Sequence, residues 1–162
     1  MRHRALAVLP AAVAALSLTT TAAAQMNPRG EAKLALAGKT VVIDYGRPSL
    51  KGRDMLGKAA VGQDWRMGAD AATTLKTSAA LVFGKTEVPP GDYVLRARKV
   101  SDTDWVLKFE RDEKAVAEVP LQASRLDKSV EQFTIDLDED AGQGVFRMSW
   151  GERALSARFT AR

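Results

Sequence analysis

The chain has no cysteine and a single histidine, His3. Without cysteine there is no disulfide, no thiolate nucleophile and no lipidated thiol. His3 lies in a stretch that reads as a removable leader, so the remainder lacks both side chains that carry most general-base and transition-metal chemistry near neutral pH. A Ser-His-Asp or Cys-His triad cannot be assembled, and zinc would rest on carboxylates alone. No metal and no cofactor are expected. Long apolar runs are missing as well. The stretch from Ala5 to Leu18 is broken by Pro10 and falls short of the ~20 residues that cross a bilayer. Nothing later is longer or more apolar, and no transmembrane segment is expected.

What stands at the start is MRHRALAVLPAAVAALSLTTTAAAQ, with a basic beginning at Arg2 and Arg4, an apolar middle, and small residues at Ala22 and Ala24. This pattern is that of a secretory signal peptide over residues 1–24, leaving one domain over residues 25–162 in the periplasm or outside the cell. Arg2 and Arg4 leave with it. The 24 Lys and Arg and 20 Asp and Glu of the whole chain then come close to balance. A nucleic-acid partner is not expected, because phosphate binding needs a strong cationic face.

Apolar residues alternate with polar ones through most of the remainder, the period of a half-buried strand. KLAL (33–36) and TVVIDY (40–45) flank Gly38-Lys39, which predicts a tight type II′ hairpin turn. Tyr93, Leu95 and Ala97 share one face of YVLRARKV, with Arg96 and Arg98 on the other. Trp105, Leu107 and Phe109 form the next such face, and Phe133, Ile135 and Leu137 another. Phe146, Met148 and Trp150, then Leu155, Ala157 and Phe159, complete the set. The expected fold is all-β: an antiparallel β-sandwich or flattened barrel of about eight or nine strands.

One stretch breaks the alternation. Residues 46–68 hold five of the twelve glycines (Gly46, Gly52, Gly57, Gly62, Gly68) and five cations (Arg47, Lys51, Arg53, Lys58, Arg66) against Asp54 and Asp64. Loops this long are uncommon in compact domains and tend to be functional or internally packed. Asp54 is placed to cap one helical turn through MLGKAA, although Gly57 weakens a helix.

DYGRPSLKGR, the WRMGADAATTL segment, PPGDYVL after Gly84-Lys85, and a strand ending in Trp150 together resemble the secreted bacterial family known as domain of unknown function 2911. The resemblance covers about residues 40–160. Two departures stand out: Asp70 where the family often has Asn, and Met55-Leu56-Gly57 where an Ile-Phe-Gly-like run is more usual. The resemblance implies an exported bacterial β-rich domain and supplies no activity.

Arginine pairs two-pronged with carboxylate or phosphate and stacks on aromatic rings. The candidate ligand-binding residues are therefore Arg47, Arg53 and Arg66, with Trp65 as a stacking surface and Asp70 as a nearby carboxylate. The competing reading has the arginines pin the loop through Asp44, Asp54, Asp64, Asp70 and loop carbonyls, with Arg66 as the anchor and Arg53 nearer solvent. DLDED (136–140) spaces Asp136, Asp138 and Asp140 like a calcium loop, but Ala141 and Arg147 stand where that motif needs Gly and Glu. A solvated turn between strands is expected there. The sequence thus points to a non-catalytic binding or assembly domain for a small anionic ligand, a glycan or an envelope protein. The alternative is a carboxylate-based glycan hydrolase of the envelope, in which two acids would face each other across an open groove.

Overall fold

The computed structural model describes residues 26–162, so the expected leader over residues 1–24 lies outside the described residues. The described chain is all strand and turn: β1 (Arg29–Leu36), β2 (Lys39–Gly46), β3 (Asp64–Trp65), β4 (Thr74–Thr77), β5 (Leu81–Phe83), β6 (Thr86–Val88), β7 (Gly91–Lys99), β8 (Trp105–Arg111), β9 (Lys114–Asp140) and β10 (Gln143–Ala161). Hydrogen bonding joins them in the antiparallel order β1-β2-β4-β7-β8-β9-β10-β5-β6, with β3 attached to β7. The path does not close into a barrel. It turns over within β9, whose first part pairs with β8 as far as Leu121 and whose later part, from Gln122, pairs with β10.

The alternating faces expected from the sequence form the core between the two layers. Tyr93, Leu95 and Ala97 are buried on one side, and Phe133, Ile135, Met148 and Trp150 on the other. Tyr45 crosses between them. Its ring meets Phe133 edge-on at 5.8 Å, and its hydroxyl donates to the Ile135 carbonyl at 3.1 Å. Such aromatic contacts add about 0.5–1.5 kcal/mol beyond the area they bury.

Two local expectations are corrected, and a third, the single turn capped by Asp54, is met. The first hairpin turns at Ala37-Gly38 (φ 51° and 72°), not Gly38-Lys39, with Leu36 opposite Lys39. Two successive positive φ values make a type I′ turn, whose twist matches that of the flanking strands. The acidic run is the end of β9 rather than a turn, with Asp136 opposite Arg147 and the turn itself at Ala141-Gly142. Asp54 caps a single turn and no helix follows: its carboxylate accepts the Gly57 N–H at 2.8 Å, and its carbonyl accepts the Lys58 N–H at 3.3 Å. Gly57 fits because a Cβ there would sit 2.0 Å from the Asp54 carboxylate.

Candidate functional site

The 46–68 insert starts and ends at one point. A Cβ on Gly46 would lie 2.2 Å from the Ala69 carbonyl oxygen, and one on Gly68 would lie 2.9 Å from the Gly46 oxygen. Glycine at both positions lets the two backbones touch. Beyond this neck, each arm of the insert docks on a different part of the sheet.

The first arm meets β9. Phe133 N–H donates to Pro48 O at 3.0 Å, and Leu50 N–H donates to Glu131 O at 2.8 Å. It does so where the β9–β10 register shifts, between Gly151 opposite Val130 and Ser149 opposite Thr134. The bulge frees β9 backbone groups from β10, and the insert satisfies them. The second arm meets β7. β4 pairs with β7 only as far as Val94, and β3 then takes the same edge of β7 at Ala97 and Arg98. Gly62 N–H adds a bond to Lys99 O at 2.8 Å.

Charge reinforces the second arm, but the insert supplies the anion. Asp64 receives the ammonium of Lys108, which also lies 3.3 Å from Glu110, and Arg98 stands 3.8 Å from Asp64. Lys108 is buried, with a relative exposure of 7%. The Asp64 contact raises its pKa; burial opposes this, and Glu110 adds to the rise. Lys99, also buried, donates to Gly57 O at 3.3 Å.

The five candidate residues are dispersed. Arg47 is half-buried and donates to Phe133 O at 3.4 Å and to Thr134 Oγ1 at 3.3 Å. Asp70 accepts from the Asn27 backbone at 2.7 Å. Arg66, expected to be the anchor, is exposed and has no ion pair or side-chain hydrogen bond among the described residues. Its neighbours Trp65 and Met67 turn inward instead: Trp65 stacks on Trp150 at 5.9 Å, and Met67 is fully buried. Arg66, just past the end of β3 and before Met67 at φ 55°, is left facing solvent.

Arg53 and Trp65 come together in a groove of about 490 Å³, lined also by Met55, Lys58, Gln63 and Trp105. A second groove, of about 680 Å³, lies across the 52–54 segment. It is floored by Leu50, Leu56, Trp105 and Leu155 and rimmed by Arg125, Glu152, Arg153, Ser124 and Asp102. Gly52, Arg53, Asp54 and Trp105 line both, so Arg53 sits on the saddle between them. Its Nε donates to Leu50 O at 3.1 Å and one terminal nitrogen donates to Ser49 O at 3.3 Å, with no carboxylate partner among the described residues. The other terminal nitrogen makes no hydrogen bond among the described residues.

The acids of the larger groove each lie beside a base. Glu152 pairs with Arg125 at 2.6 Å, Asp54 stands 3.9 Å from Arg153, and Asp102 stands 3.5 Å from Lys99. Arg125, Glu152 and Arg153 carry no motif in the sequence. Only the fold-over of β9 and the β9–β10 register bring them to the insert. Among the described residues, no group of three or more His, Cys, Asp or Glu is disposed to hold a metal, and no helix is long and apolar enough to cross a membrane.

No curated protein and no solved structure matches the chain. A family model described as "Protein of unknown function (DUF2911)" matches residues 27–159, nearly all of the described chain and more than the motifs alone indicated. The chain belongs to that family.

Proposed function

We propose that this is an exported, non-catalytic binding domain that takes an anionic group on the saddle between the two grooves, with Arg53 as its main contact. The observation that carries this reading is the state of Arg53. Two backbone carbonyls fix its guanidinium, no carboxylate among the described residues neutralises it, and Trp105 lies in both grooves beside it. A positioned, unpaired arginine beside apolar surface suits two-pronged recognition of a carboxylate or a related oxyanion. The pairing of each groove acid with a base supports binding over glycan hydrolysis, which needs two acids poised across a substrate.

A thermal-shift screen of small carboxylates, phosphates and sulfates tests the proposal. Ligands that raise the melting temperature of the wild-type protein should lose that effect in Arg53→Ala and keep it in Arg66→Ala. The shift should also shrink with added salt, since exposed charges are screened. Stabilisation indifferent to Arg53, or none from any anion, would refute the proposal.

A further inference from the structure

Arg125 and Arg153 are directly opposite each other across β9 and β10. Both are exposed, and both line the larger groove. Like charges in directly opposed positions destabilise an antiparallel pair. The neighbouring acids offset this only in part: Arg125 holds Glu152, while Arg153 has Asp54 at the outer limit of an ion pair. Immediately beyond this pair the register slips, so that Gly151 lies opposite Val130 and residues 126–129 of β9 face Glu152 alone. Bulges of this kind redirect side chains and occur beside binding sites.

The larger groove therefore has two cationic positions: Arg53 on the saddle and the Arg125/Arg153 pair on the ribbon. A ligand with one anionic group uses Arg53 alone. We infer that the groove binds a chain of sugar acids, with one carboxylate at Arg53, a second at the arginine pair, and sugar rings lying over the apolar floor between them. This inference rests on the anion-binding reading of the same groove.

The rest of the lining selects this class over other polyanions. The groove-facing edges of Leu50, Leu56 and Trp105, whose side chains are otherwise buried, meet the apolar faces of sugar rings, for which a phosphate chain has no counterpart. Asp54, Asp102 and Glu152 accept hydrogen bonds from hydroxyls but repel the dense charge of polyphosphate, whose oxygens only accept. An acidic peptide presents its carboxylates on flexible stems, with few hydroxyls for these acceptors.

Calorimetric titration of the purified protein with galacturonic acid, its linear hexamer, polyglutamate and polyphosphate tests the inference. The hexamer should bind about tenfold or more tightly than the monosaccharide, because the second contact is made within an already bound chain. Arg125→Gln and Arg153→Gln should each remove most of that gain and leave monosaccharide affinity unchanged. Arg53→Gln should weaken both. The melting temperature of Arg153→Gln should be unchanged or higher, since an opposed like charge is removed, and this separates lost binding from lost folding. A hexamer no tighter than the monosaccharide, a gain that survives both ribbon substitutions, or polyglutamate or polyphosphate binding as tightly as the hexamer would overturn the sugar-acid inference while leaving the Arg53 site standing. Failure of every probe to bind the wild-type protein would overturn both.

Discussion

Asp64→Ala tests how the insert is held. The substitution removes the closest anion from the buried Lys108 and the farther of two acids from Arg98, whose nearer partner is Glu118 at 2.8 Å. Breaking a fully buried ion pair costs about 3–5 kcal/mol. Here the loss is smaller, because the Asp64 side chain is about one-third exposed and Glu110 still faces Lys108 at 3.3 Å. The expected cost is about 1–2 kcal/mol, near that of a buried donor deprived of one partner. For a chain of this size that lowers the melting temperature by roughly 3–6 °C. Hydrogen exchange should locate the damage: the Gly62 amide, bonded to Lys99 O, should lose protection ahead of the β7–β8 amides. The pH dependence has a definite sign. The Asp64 contact, opposed by burial and supported by Glu110, raises the Lys108 pKa above the ordinary 10.5. Stability from that shift is fully present below 10.5 and lost as pH rises through the folded-state value. The gap between wild type and Asp64→Ala should therefore be steady through neutral pH and narrow in strong alkali. Arg66→Ala is the control, expected within about 0.5 kcal/mol of wild type. An Asp64→Ala protein as stable as wild type, or an Arg66→Ala protein equally damaged, would refute the assignment of the latch to Asp64.

Two further outcomes are expected. Desolvation, then Asp138, raise the Asp136 carboxyl above its ordinary 3.8 against the pull of Arg147 and Arg47. The folded state thus holds that proton more tightly, and its contribution to stability, complete below 3.8, is lost as pH rises through the shifted value. Asp136→Asn should therefore match wild type in acid and equal or exceed it at neutral pH in melting scans across that range. Export should cut the chain after Ala24 and leave a product starting at Gln25, which intact-mass measurement of the secreted or periplasmic protein checks; a product still carrying Met1 would contradict the leader assignment.

The strands were legible in the sequence because burial on one face of a sheet imposes period two, and the five alternating apolar sets all line the core. Turn positions were less legible. The Ala37-Gly38 turn places a non-glycine residue at φ 51°, which composition alone does not favour, so the reading moved the turn one residue onward. The length of β9 could not be read either, since its fold-over and bulges interrupt the alternation between Leu121 and Phe133. For the site, the sequence located the insert and Arg53 but not Arg125, Glu152 or Arg153, which reach the groove by a pairing whose register is set by bulges rather than by any local motif.

The contacts that anchor the insert are distinct from its arginines, although the sequence presents the two together. Backbone bonds at Pro48, Leu50 and Gly62, with Asp64 and the Gly46/Gly68 neck, hold the insert in place, and none of these uses an arginine side chain from within it. Arg47 does bond β9, yet it lies at the neck, beside a segment already fixed by Pro48 and Leu50. The positive charge of the middle segment is therefore surplus to anchoring. A solvated loop needs only polarity, which serine, asparagine or lysine would supply. Arg53 instead gives up part of its hydration to two carbonyls of its own loop, an arrangement that fixes the direction of the guanidinium while leaving its charge unpaired. Holding a charge oriented and unneutralised does little for folding but lowers the entropic cost of meeting an anion. That cost argument, more than the presence of arginine, is why the saddle at Arg53, rather than the equally exposed but unoriented Arg66, is the place to look for a ligand.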